Sequence, residues 1–162
     1  MKKIAVLLAM LYVLPFASAT AFVNVGEDLN LFEKNPSDWS IVEGGAYGRV
    51  VFSDVSIFGK IIQQRIRVIV YGLEPKTEYQ LIYYGNEVYN DVWNYATCIG
   101  NSVKTSTQGF FKSGSSQFNH LDMANDGIAQ KLWVVLASDV DCDAGTMKAW
   151  QPTRYLFEGN TI

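Results

Sequence analysis

The sequence is poor in the residues that metal sites and nucleophilic active sites require. It has two cysteines and one histidine in 162 residues, whereas a structural zinc site usually takes four cysteine or histidine ligands. His120 has no second histidine to join it in a zinc-hydrolase site, and Gly114-Ser115-Ser116 is not a G-x-S-x-G nucleophile elbow. We therefore expect no enzymatic activity, and we expect His120 to lie in a loop or on the surface.

Charged residues and long apolar runs are scarce as well. Charged residues make up 18% of the chain, below the usual quarter, which argues against a disordered tail or a coiled coil. A net charge of −3 leaves no excess of basic residues for a dedicated nucleic-acid binder. No apolar run reaches the roughly 20 residues that a spanning helix needs. We expect neither nucleic acid nor a transmembrane anchor among the partners.

The first 21 residues have the pattern of a secretory signal peptide. Two lysines precede an apolar run over residues 4–16, and small residues follow it, so that cleavage after Ala19 or Ala21 fits the A-x-A rule. Removal of 21 of the 162 residues leaves a 141-residue chain, and the loss of the two lysines changes the net charge from −3 to −5. We expect a secreted, extracellular or cell-surface protein.

Strand signals dominate residues 22–162, which we expect to form a single domain. Apolar and β-branched residues recur with period two. The candidate strands are 47–53, 66–71, 77–84 and 131–137, with weaker ones at 39–42, 95–99, 109–112 and 153–157. Segment 26–35 is either a helical turn or an entry strand, and 118–129 has a faint helical pattern. Seven or eight short strands predict an all-β, immunoglobulin-like two-sheet β-sandwich, with a small closed β-barrel as the alternative.

Two of these strands carry more detailed expectations. Strand 131–137 is apolar on both faces and should be a covered, central strand. On strand 77–84, Tyr79 should point inward and hydrogen-bond back to the preceding turn, as in a tyrosine corner. Gln80 should lie on the opposite face from Tyr79.

The two cysteines, Cys98 and Cys142, are expected to form one intramolecular disulfide. It would close a loop of about 45 residues, which the chain-entropy model values at roughly 4 kcal/mol as an upper limit. The spacing is not that of a redox-active C-x-x-C pair.

The acidic cluster of Asp139, Asp141 and Asp143 is the best metal candidate in the sequence. Alternating aspartates on an extended segment can direct carboxylates toward one hard cation, and calcium is the expected ion. The segment is not an EF-hand loop, because Ala144 and Trp150 stand at the sixth and twelfth positions. The interpretation that we adopt is a solvated turn, where aspartate is common, with no bound cofactor; calcium binding is the alternative.

The aromatic-rich segment 83–95 is the candidate ligand-binding region. Its candidate contacts are Tyr84, Tyr89, Trp93 and Tyr95. Tyrosine and tryptophan beside asparagine and aspartate suit a glycan or a protein partner. The alternative is a loop that merely covers one end of the sandwich.

Several stretches resemble a known group of sequences. They are 30–39, 44–48, 72–75, 79–84, 131–136, 138–142 and 150–158. In these stretches the chain resembles a family of uncharacterised secreted domains found mainly in methanogenic archaea and some bacteria. The resemblance implies a secreted β-sandwich module without an established activity.

Three functional hypotheses follow. The first is a non-enzymatic module with a structural or protein-interaction role, for example an envelope or filament subunit whose partners are other proteins or its own copies. In a filament, segment 22–35 would add a strand to a neighbour. The second is a module that binds a glycan or another small ligand. The third is a secreted hydrolase that uses paired carboxylates.

Overall fold

The computed structural model describes residues 22–57, 60–86, 93–117 and 131–159. Its strands are β1 (Phe22–Phe32), β2 (Tyr47–Ile57), β3 (Lys60–Tyr71), β4 (Glu78–Asn86), β5 (Trp93–Lys104), β6 (Phe111–Lys112), β7 (Ser116–Gln117), β8 (Lys131–Leu136), β9 (Val140–Asp141), β10 (Thr146–Met147) and β11 (Phe157–Glu158). Short 3-10 helices cover Ala137–Asp139 and Pro152–Arg154. Within the described ranges, no helix is long and apolar enough to cross a membrane.

The strands form two antiparallel sheets and a short β9–β10 hairpin. The larger sheet has the order β11-β1-β2-β3-β6, and β7 pairs with another part of β3. The smaller sheet has the order β5-β4-β8. The sheets do not close into a barrel over the described residues, so the prediction of a two-sheet β-sandwich is confirmed and its barrel alternative is not.

The main core lies between the two sheets. On β3 the side chains of Ile66, Val68 and Val70 are buried, while the residues between them are more accessible. This is the period-two pattern that the sequence predicts. From the smaller sheet, the Tyr79 ring stacks on Phe111 of the larger sheet with ring centroids 6.4 Å apart.

The second face of the smaller sheet is buried as well. Gln80 and Ile82 alternate with Leu81 along β4, yet all three are almost inaccessible to solvent. The Gln80 side-chain amide donates hydrogen bonds to backbone carbonyls, including that of Ile99 at 3.1 Å, which satisfies a buried polar group. Leu132 to Leu136 of β8 are also buried, so the prediction of a covered strand is confirmed. The strand order β5-β4-β8 places β8 at the edge of the smaller sheet, so the prediction that it is central is wrong.

Residues 137–156, here called the covering segment, lie over that second face. The predicted disulfide is present between Cys98 of β5 and Cys142, with their Cα atoms 5.4 Å apart. The backbone N–H of Ala96 donates to the carbonyl of Gly145 at 2.9 Å. These two connections hold the covering segment against β5.

The chain then passes from the smaller sheet to the larger one. Leu156 forms an isolated antiparallel bridge with Val134 of β8. The next two residues form β11, where Glu158 lies opposite Leu31 of β1. The end of the covering segment therefore connects β8 to β1 along one side of the sandwich.

The tyrosine corner predicted at Tyr79 is present. Tyr79 is 1% exposed, and its hydroxyl oxygen accepts a hydrogen bond from the backbone N–H of Glu74 at 3.4 Å. Burial raises the pKa of the Tyr79 phenol above its ordinary value, because the charged form is disfavoured away from water.

The weaker strand predictions were confirmed to different extents. Segment 95–99 lies within β5, and 109–112 contains β6. Segment 26–35 is largely strand β1, but 39–42 contributes only an isolated bridge between Ile41 and Lys34. Segment 153–157 begins in a 3-10 helix and reaches β11 only at its end. Turn-forming side chains and Pro152 disfavour longer strands in these two places. The helical prediction at 118–129 and His120 lie outside the described residues.

Candidate functional site

A concave groove of about 520 Å³ opens beside the smaller sheet. Its lining is mostly aromatic, with three charged side chains. The lining residues are Lys34, Trp39, Tyr84, Lys131, Trp133, Trp150, Phe157 and Glu158. They come from four parts of the fold, namely the β1–β2 connection, the smaller sheet, the covering segment and β11. We call this site the aromatic groove.

Trp39 reaches the groove from the connection between β1 and β2. Within this connection, the Asn35 and Asp38 side chains accept hydrogen bonds from the backbone N–H and the hydroxyl of Ser37 and Ser40 respectively. Such Asx turns fix a short loop without a regular ladder. Trp39 itself has a φ of 60°, an uncommon conformation for a bulky residue. The local bonds therefore hold a strained tryptophan in a defined position.

Trp133 and Tyr84 form the inner wall. Both belong to the smaller sheet, in which Tyr84 of β4 lies opposite Lys131 of β8. The two rings are stacked, with centroids 4.2 Å apart and planes 18° from parallel. Trp133 is 7% exposed, so it is a structural wall more than an accessible surface.

Trp150 reaches the groove from the covering segment, which is fixed by a buried hydrogen-bond network. The Tyr155 hydroxyl donates to the Asp139 carboxylate at 2.5 Å, and the Gln151 amide donates to the same oxygen at 2.9 Å. Burial and the bond to Asp139 raise the pKa of Tyr155 well above its ordinary value. Because Trp150 lies directly before Gln151, this network restricts the position of the Trp150 backbone.

The aromatic rings contact one another across the groove. Trp150 lies 5.5 Å from Trp133 and 6.4 Å from Trp39, measured between ring centroids. Phe157 packs edge-on against Trp39 and Trp133 at 5.1 and 5.2 Å. Trp39 and Trp150 nevertheless remain 47% and 48% exposed. The groove thus offers two half-exposed indoles that are supported by buried rings.

Glu158 is the buried charged group of the site. It is 3% exposed, and neither carboxylate oxygen has a hydrogen-bond partner among the described residues. Burial raises its pKa from an ordinary 4.5 to about 6, and the backbone N–H of Glu158 itself, followed by the ammonium groups of Lys131 and Lys34, offsets only part of that rise. The Trp133 indole also favours the ionised form of Glu158, although its N–H does not meet hydrogen-bond geometry with either carboxylate oxygen.

The predicted ligand contacts are placed unevenly. Tyr84 lines the aromatic groove. Trp93 and Tyr95 belong to β5, but their side chains lie outside what the structure describes, and Tyr89 lies outside the described residues altogether. Of the four predicted contacts, only Tyr84 can therefore be assigned to the groove.

The three predicted metal ligands have different surroundings. Asp139 is 3% exposed and its carboxylate accepts hydrogen bonds from Tyr155, Gln151 and Ser138. Asp141 accepts the backbone N–H of Asp143 and of Ala144, as expected for a turn. In the part of the chain that the structure describes, no three histidine, cysteine or acidic side chains converge in a metal-binding group. Calcium binding stays a prediction.

Most of the groove was not identified from the sequence. In the sequence, Trp150 is notable only because it stands at the twelfth position of a failed EF-hand match. Trp133 is notable only as part of the predicted strand 131–137. Trp39 and Trp150 are more than 100 positions apart, and no local pattern joins them. The one signal in the sequence was its tryptophan content, which could have suggested a shared aromatic site. Three of the four tryptophans line this groove.

A second aromatic cluster lies on the larger sheet and is here called the aromatic ladder. It consists of Tyr47, Tyr71 and Phe110, which are 52%, 42% and 37% exposed. Tyr47 and Tyr71 are direct cross-strand partners, and the centroid distances from Tyr71 to Tyr47 and to Phe110 are both 5.1 Å. None of the three lines the aromatic groove.

The fold and site together define a disulfide-bonded β-sandwich with an aromatic groove. No protein-family model, no curated protein and no solved structure matches the chain. The groove itself is therefore the main indication of function.

Proposed function

We propose that the protein is a secreted, non-enzymatic β-sandwich module that binds a saccharide in the aromatic groove. One observation carries the proposal: two half-exposed tryptophans, Trp39 and Trp150, stand over a groove of about 520 Å³ that also holds three charged side chains. Ligand sites typically combine an apolar, aromatic lining with a few polar groups that orient the ligand.

A saccharide suits this lining better than other ligand classes do. Its C–H faces can cover indole rings, while its hydroxyl groups can bond to ammonium and carboxylate groups. A purely apolar ligand would desolvate Lys34 and Lys131 without replacing their hydrogen bonds, which is unfavourable. A nucleic acid would meet a chain of net charge −3, which opposes binding to a polyanion.

The composition of the groove also supports a non-enzymatic role. Glycoside hydrolases usually place two carboxyl groups on either side of the scissile bond. Among the described residues that line the groove, Glu158 is the only one with a carboxylate. We prefer a binding module to a hydrolase because the described lining supplies one carboxylate where a hydrolase usually needs two.

Secretion is supported by two features. The first 21 residues have a signal-peptide pattern, and the Cys98–Cys142 disulfide is typical of a protein that matures in an oxidising compartment. The resemblance to secreted domains points the same way and stays a prediction.

The structural or protein-interaction role, including the envelope or filament subunit, also stays a prediction. In the structure, β1 pairs with β2 of its own chain over 22–25 and 28–32, with an irregularity between these two stretches, and with β11 at its end. A strand exchanged between copies would first have to leave these pairings.

A glycan array probed with the secreted, processed protein tests the proposal. We expect saccharide binding that Trp150→Ala weakens about 5- to 150-fold, because an indole in a ligand site contributes on the order of 1–3 kcal/mol. Tyr71→Ala on the aromatic ladder is the matched control and should bind as the unmodified protein does. An array without binding, or equal losses in both variants, would contradict the proposal.

A further inference from the structure

We propose that the ligand is an oligosaccharide, two adjacent sugar units of which lie against Trp150 and Trp39, one unit on each indole. This inference rests on the proposed function and names the ligand class of the same groove. The angle and distance between the two exposed indoles, the rings that support each of them and the size of the groove all favour it.

Trp39 and Trp150 offer the largest accessible aromatic surfaces in the groove, at 47% and 48% exposure. Among the other described lining residues, Trp133 and Phe157 are buried, and Tyr84 is partly buried and stacked on Trp133. A buried ring can support a side chain that binds a ligand, but only an exposed ring can itself be covered by one. The sugar contacts therefore belong to the two exposed indoles.

These two indoles form a bent surface. Their ring centroids lie 6.4 Å apart, and their planes are inclined by 45°. The face of a pyranose ring is nearly flat, so one ring that lies parallel to one of these planes cannot lie parallel to the other. Two rings can cover both indoles when they are tilted relative to each other, and the glycosidic linkage between adjacent units of a chain permits such a tilt.

The size of the groove fits more than one sugar unit. Its volume of about 520 Å³ lies within the range of roughly 300–1,000 Å³ that is typical of sites for drug-sized ligands. A single pyranose unit is smaller than such a ligand and would leave one of the two indoles uncovered. Because affinity grows with the apolar area that the ligand removes from water, a second unit adds to binding.

The two indoles are supported separately and unequally. The centroid of the Trp150 ring lies 5.5 Å from that of Trp133, 5.6 Å from that of Tyr155 and 5.9 Å from that of Phe157. Trp39 belongs to a different part of the chain and contacts Phe157 at 5.1 Å. A ring that is already held in place loses less freedom when a ligand binds. The first sugar unit is therefore assigned to Trp150 and the adjacent unit to Trp39.

A chain-length series tests the inference. A glycan array identifies the preferred saccharide, and titration calorimetry then measures its mono-, di-, tri- and tetrasaccharide with the processed protein. We expect affinity to rise about tenfold or more from the monosaccharide to the disaccharide, because the second unit covers a second indole. Each further unit should add less, since it meets no further exposed indole among the described lining residues.

Trp39→Asn separates the two sugar units. Asparagine tolerates the positive φ of this position, so the variant removes the indole and keeps a backbone conformation that the loop can adopt. It should bind the disaccharide about tenfold more weakly than the unmodified protein does and leave monosaccharide affinity within about twofold. Trp150→Ala should weaken every member of the series. Tyr71→Ala on the aromatic ladder is the matched control and should keep the full rise with chain length.

Each outcome bears on the proposal. A monosaccharide that binds as tightly as the longer members would overturn the two-unit inference and leave saccharide binding in place. A rise with chain length that persists undiminished in Trp39→Asn would also overturn it, because the second unit would then lie elsewhere. Binding to no saccharide at all would contradict the proposed function together with this inference. Thermal melts of the variants report whether the fold is intact, and the series on the unmodified protein does not depend on them.

Discussion

The molecule exposes two groups of aromatic side chains that differ in their surroundings. The aromatic ladder follows the register of the larger sheet, since Tyr47 and Tyr71 are cross-strand partners and Phe110 packs beside them. The aromatic groove instead gathers rings from distant parts of the chain around a volume of about 520 Å³ with charged groups. Exposed aromatic residues alone therefore do not mark a site, whereas concavity and enclosed charge do.

The largest expected effect separates the two groups by their contribution to stability. Trp133→Ala should lower the free energy of unfolding by about 3–5 kcal/mol, because it removes a large buried ring. Tyr71→Ala, at 42% exposure, should lower it by less than about 1 kcal/mol. Chemical denaturation of both variants measures the difference. Similar losses would mean that the ladder is as important to the fold as the groove wall.

The disulfide should be important to the groove and not to the ladder. Replacing Cys98 and Cys142 by serine should lower the free energy of unfolding by about 2–4 kcal/mol and weaken saccharide binding, since the covering segment carries Trp150. Guanidinium unfolding and a saccharide titration measure the two effects. If affinity were unchanged while stability fell, the disulfide would not help to position the groove.

Glu158→Gln should stabilise the protein at neutral pH. The pKa of Glu158 is raised in the folded protein from 4.5 to about 6, so the folded state binds the proton more tightly than the unfolded state does. Its unfavourable contribution is small below about pH 4.5, grows as the pH rises through about 6, and levels off above that pH at about 2 kcal/mol. The variant should therefore unfold at a higher temperature than the unmodified protein at pH 7.5 and at nearly the same temperature at pH 4.

A contrary result here would be informative. Destabilisation by Glu158→Gln at pH 7.5 would show that the ionised carboxylate is well satisfied in solution, for instance by Lys34 or Lys131. Leu31→Ala serves as the control. Leu31 is the cross-strand partner of Glu158 on β1, and loss of this apolar core residue should destabilise the protein equally at both pH values.

The smallest expected change in stability is at Trp39. Trp39→Asn places a residue that tolerates positive φ at an unusual backbone position. Stability should stay the same or rise by up to about 1 kcal/mol, while saccharide affinity falls because the indole is lost. Thermal melting and calorimetry measure the two quantities. A loss of stability without a loss of affinity would assign Trp39 to the fold and not to the groove.

The sheets could be predicted from the sequence because their signals are local. Alternation over Ile66, Val68 and Val70 identified β3, and the turn before Tyr79 identified the corner. The disulfide followed from having two cysteines in a chain with a signal-peptide pattern. These inferences need only neighbouring residues or a count.

The groove could not be predicted in the same way, since it depends on where the covering segment lies. The sequence showed β8 as apolar on both faces, but not that residues 137–156 lie over its second face. In the sequence, Asp139 resembles a metal ligand, because nothing near it shows what its carboxylate binds. Its hydrogen-bond partner Tyr155 is 16 positions away and comes close only in the folded chain. The burial of Glu158 depends on the same tertiary contacts.

The most direct measurement is a crystal structure of the protein saturated with the saccharide that binds most strongly on the array. We expect sugar rings against Trp39 and Trp150, with their polar groups toward Lys34 and Lys131. A ring bound on the aromatic ladder at Tyr47 and Tyr71, or anywhere outside the groove, would contradict the assignment of the groove as the binding site.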